Sequence, residues 1–199
     1  MKKGFTLLEL LIGIAIFAII AACVYSSLYL GLKVFKQEES RDELMQQAML
    51  TLDKLAKDLR CAFINPNNEQ IKFIGTDAKI DFFIVSPELD IENTVFYLEE
   101  NEDSDVFSLL MSKTKVRYFE GDAEGKSKIS VINRSIKEFK LAYYDHETKE
   151  WYENWPRELE LPKLIKIKIS FAQNSNQENF LDLVKYVAVP IAQTLEFTR

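Results

Sequence analysis

Residue types that usually carry chemistry are scarce in this sequence. Its 199 residues include one histidine and two cysteines, and the cysteines do not form a C-x-x-C pair. No glycine-rich phosphate loop, dinucleotide-binding loop or zinc-binding spacing occurs. The one histidine, His146, lies in the polar stretch 145–149, which is typical of a solvated turn. The sequence therefore predicts no catalytic residue, no cofactor and no metal site, and it argues against an enzyme.

A disulfide framework and a basic surface are also lacking. Cys23 lies in the N-terminal apolar run and Cys61 near the end of a predicted helix, so the two are far apart along one rod. The 31 acidic residues outnumber the 25 basic ones and leave a net charge of −6. Because no basic patch is present, nucleic acid is not an expected partner.

Glycine and proline are few, at six and five residues, and neither interrupts residues 33–64. Apolar residues in this stretch recur every three or four positions, opposite a charged face. The pattern predicts an amphipathic helix that packs on its own domain, with i,i+4 pairs Asp53–Lys57 and Lys54–Asp58. Pro66 ends this helix after Ile64, since it disfavours helical geometry in the residue before it. The apolar stripe consists of Leu44, Ala48, Leu52, Leu55 and Leu59, with Met45, Met49 and Ala56 beside them.

The sequence does have a long apolar run at its beginning. From Phe5 to Leu32 the only charged residue is Glu9. As a helix rising about 1.5 Å per residue, this run exceeds the roughly 30 Å hydrocarbon core of a bilayer. A charge costs about 2.5–3.5 kcal/mol at the bilayer centre and less near the interface, so it usually marks a function with a partner. A cut between Gly4 and Phe5 would create that partner, because the Phe5 amine of one copy would lie at the depth of Glu9 in a neighbour.

The run opens with Lys3-Gly4-Phe5-Thr6-Leu7-Leu8-Glu9. This heptapeptide resembles the class III signal of type IV prepilins and type II secretion pseudopilins. The resemblance implies that a membrane prepilin peptidase cuts after Gly4 and methylates the new amine of Phe5. It also implies that Glu9 directs assembly.

Three other interpretations fit the N-terminus less well. A secretory signal has an apolar core of about 7–15 residues without an acid. A plain transmembrane anchor explains the length of the run but neither Gly4 nor Glu9. The stretch Ile20–Cys23 matches a lipobox, which would make Cys23 a lipidated N-terminus. Against that interpretation, the chain after Cys23 stays apolar, whereas a lipoprotein normally turns polar there.

The flanking charges predict the orientation in the membrane. Lys2 and Lys3 precede the run, and the positive-inside rule keeps that end cytoplasmic. Lys33 and Lys36 weaken this bias without reversing it. The expected protein is a single-pass inner-membrane protein with a periplasmic body. Small residues that permit close helix packing occur along the run: Gly13, Ala15, Ala18, Ala21 and Ala22.

After residue 65 the apolar period changes to two, which predicts antiparallel β-sheet. The predicted fold is therefore α+β and pilin-like, with one helix of about 60 residues, roughly 90 Å long, whose outer half packs on the sheet. Its parts are a cleaved leader (1–4), a transmembrane segment (5–32), an amphipathic half-helix (33–64) and a β-rich periplasmic domain (65–199). Residues 121–126 are a predicted polar turn. The predicted strands are 71–74, 79–85, 94–98, 106–111, 116–119, 129–132, 136–144, 164–171 and 183–189.

The second half of the chain resembles one class of pseudopilin in particular. A strand ending in tyrosine (139–145) leads through Trp151 and Trp155-Pro156 to Leu161-Pro162 and the next strand. This order resembles the J-class minor pseudopilin of type II secretion. Minor pilins of the W type and a competence pseudopilin share a weaker form of it. Large aromatic residues in such a turn pack against the sheet or a partner, and core packing is the commoner case.

The acidic run 99–105 contains an Asp-x-Asp spacing that would suit Ca²⁺, although a solvated hairpin tip is the plainer interpretation. The resemblance implies a structural role in the tip complex of a type II secretion pseudopilus. Its partners would be other minor pseudopilins, the major pseudopilin and the prepilin peptidase. The alternatives are a minor type IV pilus or competence pilin, and a tethered periplasmic enzyme or binding domain.

Overall fold

The computed structural model describes residues 7–65, 68–101, 105–116, 127–172 and 180–190. The chain forms two compact units, Met1–Glu43 and Leu44–Arg199. A single helix, α1 (Leu7–Arg60), contributes to both. The predicted α+β class is confirmed, because a long apolar N-terminal helix is followed by an antiparallel sheet.

One eight-stranded sheet forms most of the second unit. Every strand pair in it is antiparallel. The spatial order is β1-β2-β3-β4-β5-β7-β8, with β6 beside β5, so β1 and β8 lie at the two ends. The strands are β1 (Ile74–Gly75), β2 (Lys79–Val85), β3 (Ile91–Glu100), β4 (Phe107–Val116), β5 (Lys128–Asp145), β6 (Glu150–Tyr152), β7 (Leu164–Ala172) and β8 (Phe180–Ala188).

The part of α1 in the second unit packs on one face of this sheet. Leu55 and Leu59 are fully buried in one apolar cluster with the inward residues of the strands, such as Ile167 of β7. Burying each such side chain contributes about 1.5–3 kcal/mol. The predicted role of the apolar stripe is therefore confirmed, except that Met49 is half exposed.

Ion pairs form both within the helix and between the helix and the sheet. The predicted pair Lys54–Asp58 is present, with 3.0 Å between its charged atoms. Asp53, for which the spacing predicts Lys57 as partner, instead contacts Lys185 of β8. The side of β8 that carries Lys185 therefore faces the helix.

The helix ends at Arg60, four residues before its predicted end at Ile64. The backbone N–H groups of Cys61 and Ala62 donate to carbonyls only three residues back, which tightens the last turn. Phe63 then donates its N–H to the carbonyl oxygen of Phe83 in β2, at 3.0 Å. The apolar residues that follow Arg60 thus join the core before Pro66 is reached.

Several strands differ from their predicted limits. Residues 129–132 and 136–144 form one strand, β5, because Asn133 is satisfied inside the fold: its amide donates to the Thr51 hydroxyl of α1 at 3.2 Å. Shifts in register on both sides of β5 let the long strand pair first with β4 and then with β7. The short strand β6 was not predicted, and β1 overlaps its predicted range only at Ile74. The predicted turn 121–126 lies outside the described residues.

Candidate functional site

The predicted assembly residue Glu9 lies in the first turn of α1 and is exposed. A carboxylate in this position is favoured by the partial positive charge of a helix N-terminus. The predicted processing residues Gly4 and Phe5 lie outside the described residues, so their roles stay predictions.

The helix that carries Glu9 presents apolar side chains on all sides. The stretch Leu7–Phe35 comprises 29 residues, is long and apolar enough to cross a membrane, and has no buried residue in its most apolar window. At about 1.5 Å per residue it spans roughly 44 Å, more than the hydrocarbon core requires. Its large exposed side chains include Leu7, Leu10, Leu11, Ile14, Phe17, Ile20, Tyr25, Leu28, Leu32 and Phe35.

Two features inside this stretch bear on its use. A side chain built on Gly13 would meet nothing within 4 Å, so the chain's own packing does not require a glycine there. Cys23 and Cys61 are both free and exposed. The helix continues without a break through Cys23.

The aromatic residues of the second half take different positions. Trp155 is buried, and its indole N–H donates to the carbonyl oxygen of Glu160 at 2.8 Å. Trp151 on β6 is 45% exposed and contacts Tyr144 and Tyr186. Core packing therefore accounts for the first tryptophan but not for the second.

Gly75 provides a close contact that was not predicted from the sequence. The ring of Tyr143 lies so near that a Cβ on Gly75 would stand 2.4 Å from it. The Tyr143 hydroxyl donates to the Thr76 carbonyl at 2.8 Å, and Trp155 donates its backbone N–H to the Gly75 carbonyl at 2.9 Å. A single glycine beside a buried tyrosine produces no periodic signal, so sequence patterns do not reveal this contact.

A charged cluster ties together the connection between β5 and β7. Arg157 contacts the buried carboxylate of Asp145 and lies 2.7 Å from both Glu147 and Glu160. Burial raises the pKa of Asp145, but hydrogen bonds from the Glu147 backbone N–H, Arg157 and Thr148 outweigh it and hold this pKa below its usual value. The charged groups of this cluster pair with one another, which is typical of a cluster that stabilises the fold.

The acidic run 99–105 is described only in part, because residues 102–104 lie outside the described residues. The two strands beside it are joined by Asn101, whose amide donates to the Val106 carbonyl at 2.8 Å and whose oxygen accepts from Ser108 at 2.7 Å. Among the residues that the structure does describe, no group of three His, Cys, Asp or Glu could hold a metal ion. His146 is an exposed residue of the turn after β5.

Comparisons with known proteins bear on the N-terminus. A search of curated proteins found no match to the chain. Residues 1–25 match the family model described as the prokaryotic N-terminal methylation motif. Together with one exposed apolar helix, this motif fits a single-pass membrane anchor. The match supports a likeness of the N-terminal segment to that of type IV pilins and pseudopilins.

Proposed function

We propose that this chain is a minor pseudopilin of a type II secretion system, most similar to the J class, and acts in the tip complex of the pseudopilus. One observation carries the pilin-like part of the proposal: the methylation motif over residues 1–25 overlaps an exposed apolar stretch, Leu7–Phe35, whose single carboxylate is Glu9. The role is structural, since growth of the pseudopilus moves other proteins across the outer membrane.

In this proposal the prepilin peptidase cuts between Gly4 and Phe5 and methylates the Phe5 amine. Glu9 of one subunit then pairs with the Phe5 amine of a neighbour. An ammonium and a carboxylate at the same membrane depth neutralise each other, whereas either alone would be costly there. Pairing between copies therefore specifies the stagger of neighbouring helices.

The apolar helices bundle inside the assembly. Lipid is as apolar as the side chains, so close packing rather than burial from water drives this step. The open space around Gly13 suits the approach of a neighbouring backbone. Ala15, Ala18, Ala21 and Ala22 lie in the same stretch and add little bulk.

The body, residues 65–199, is placed in the periplasm by the positive charges of Lys2 and Lys3 on the cytoplasmic side. There it joins other minor pseudopilins and the major pseudopilin. The J-class assignment draws on the path from β5 through Trp151 and the buried Trp155 to Leu161-Pro162 and β7. This path supports the assignment to the J class, whereas the N-terminal motif supports only the assignment to pilin-like proteins.

Mass analysis of the protein isolated from membranes tests the processing step. We expect a chain that begins at N-methylated Phe5, and we expect Gly4→Val to abolish the cut because the peptidase requires a small residue before it. Gly13→Ala is the matched control and should be processed normally. A wild-type chain that begins at Met1, or at a lipidated Cys23, would contradict the proposal.

Deletion of the gene in its native host distinguishes the pseudopilus from a pilus. Loss of protein export with intact surface pili supports the type II secretion assignment. Loss of pili or of DNA uptake, with export intact, would instead assign the chain to a minor type IV or competence pilin. Neighbouring reading frames with the same leader give a second, independent readout of the system.

A further inference from the structure

The face of β5, β7 and β8 turned away from α1 carries an exposed aromatic cluster. Trp151 lies 5.3 Å from Tyr144 and 6.0 Å from Tyr186 between ring centroids. Trp151 and Tyr186 are 45% and 54% exposed. Exposed tryptophan and tyrosine that form one patch are typical of the centre of a protein–protein interface.

Lysines adjoin these rings on the same face. Lys166 is the register partner of Tyr186, and Lys168 is the partner of the exposed Val184. Lys168 shares the carboxylate of Glu138 with Lys140, at 2.7 and 2.6 Å, so one negative charge serves two positive ones. We call the surface formed by Tyr144, Trp151, Lys166, Lys168 and Tyr186 the aromatic–lysine face.

The other end of the sheet has the opposite charge. Residues 79–100 carry six acidic side chains and one basic one. The strands β5, β7 and β8 together carry seven basic and three acidic side chains. The two regions are two to five strand positions apart, roughly 10–25 Å, so they occupy separate parts of the sheet in one copy.

The turn between β2 and β3 is unusual in this acidic region. Leu89 at its tip is 84% exposed and has a φ of 65°, in the left-handed region that a bulky residue rarely adopts. Glu88 and Asp90 flank it and share a single cation, Lys115, at 2.6 and 2.8 Å. The turn therefore displays a large apolar side chain between two carboxylates at a cost in backbone strain, and strained residues cluster at functional sites.

We propose that the β2–β3 turn of one copy docks on the aromatic–lysine face of a second copy. Leu89 packs on the rings of Trp151 and Tyr186, and Glu88 and Asp90 face Lys166 and Lys168. Apolar surface thus meets apolar surface, and each sign of charge meets its opposite. The contact is heterologous, because the turn of one copy meets a different surface, the aromatic–lysine face, on the other.

Sedimentation of the full chain in detergent micelles, at low and high salt, tests this contact. Because the apolar helices can also associate, two charge-reversed proteins provide the specific readout: Lys166→Glu with Lys168→Glu, and Glu88→Lys with Asp90→Lys. We expect each alone to self-associate at least about tenfold more weakly than wild type at low salt, and their equimolar mixture to recover the wild-type strength. Neither protein needs to be processed at Gly4, so this result does not depend on the proposed function.

Matched variants separate docking from folding. Leu89→Asp should weaken association, whereas Leu159→Asp, at another partly exposed loop leucine, should not. Lys57→Glu on the exposed face of α1 controls for net charge. Near-ultraviolet circular dichroism checks that each variant is folded, and Lys166→Glu alone provides the test if the double variant is not. A wild type that is monomeric at low salt, reversed variants that associate normally, or a mixture no stronger than its parts would each overturn the proposal.

Discussion

At the scale of single residues, the body depends on close contacts between side chains that are distant in sequence. The ring of Tyr143 lies against the bare backbone of Gly75, and Trp155 donates a backbone hydrogen bond to the same glycine. Phe73 meets Tyr143 edge-on, at 5.8 Å between centroids. These contacts hold the first short strand and the loop after β6 against β5.

A methyl group at Gly75 should disturb this cluster. We expect Gly75→Ala to lower the free energy of unfolding by about 1–3 kcal/mol, because the ring of Tyr143 is buried and cannot move away without disturbing its neighbours. Gly13→Ala, where a Cβ meets nothing, is the control and should not destabilise the body. Urea unfolding followed by near-ultraviolet circular dichroism measures the difference. An unchanged midpoint for Gly75→Ala would show that the contact relaxes freely.

The carboxylate of Asp145 makes the stability of the body depend on pH. Its pKa lies below the ordinary value of about 3.9, so it stabilises the fold above that pH, and this contribution is lost as the pH falls through the lower, folded-state pKa. Asp145→Asn should therefore cost about 1.5–3 kcal/mol at pH 7, the usual contribution of hydrogen bonds to a charged group. The difference between wild type and variant should shrink below about pH 4.

Thermal unfolding of both proteins between neutral pH and about pH 2.5 checks this expectation, since the range brackets the ordinary aspartate pKa. The exposed Glu153→Gln in the same loop is the control and should behave as wild type. A difference that stays constant across this range would mean that Asp145 acts through packing and not through its charge.

At the scale of elements, the two parts of α1 differ in burial. From Leu7 to Phe35 its side chains are exposed and apolar, whereas from Leu44 onward one face is buried under the sheet. The boundary between the compact units falls between Glu43 and Leu44. The residues of the apolar core begin at this boundary and not at the start of the helix.

A chain that lacks residues 1–32 should therefore be soluble and folded. It keeps every residue of the buried cluster and loses only the exposed apolar stretch up to Leu32. Circular dichroism and sedimentation in detergent-free buffer, at several concentrations, measure the outcome. A chain that lacks residues 1–54 is the matched control and should be unfolded, because Ala48 and Leu52 are then missing from the core. If the first chain were unfolded, the apolar stretch would be part of the folding unit.

At the scale of the whole molecule, the proposed function makes assembly depend on the charges at the N-terminus. In the proposed function Glu9 pairs with the Phe5 amine of a neighbour, and breaking such a buried pair costs about 3–5 kcal/mol. Glu9→Ala should leave cleavage intact, because the peptidase recognises Gly4 and the basic leader. Insertion of the helix into the membrane should also be preserved, because an apolar helix without a charge inserts more readily. Crosslinking to other pseudopilins should be lost.

Three quantities are measured for each variant: crosslinking to other pseudopilins, protein export, and the mass of the N-terminal peptide. Glu38→Ala, outside the apolar run, is the control. Normal crosslinks and normal export would place this subunit at the very tip, where no neighbour lies above it to receive Glu9. Failure of cleavage would contradict the mechanism, because it would mean that Glu9 serves the peptidase.

Features that depend on local order and spacing could be predicted from the amino-acid sequence. The motif around Gly4, Phe5 and Glu9, the length of the apolar run and the stripe from Leu44 to Leu59 are all periodic or contiguous, so they can be recognised without a fold. The change to a period of two after residue 65 likewise identified the sheet, because alternation in a strand is a local property.

The remaining features could not be predicted in this way, because they depend on contacts between residues that are distant along the chain. The helix ends at Arg60 because the backbone N–H of Phe63 donates a hydrogen bond to the carbonyl oxygen of Phe83. Strand β5 stays continuous because the side-chain amide of Asn133 donates a hydrogen bond to the Thr51 hydroxyl. Asp53 pairs with Lys185, 132 residues away, in preference to a neighbour one helical turn on. The sheet order also separates the acidic turn at Leu89 from the aromatic–lysine face, and no spacing in the sequence specifies that order. Such contacts are chosen by three-dimensional packing, in which local propensity is only a weak term.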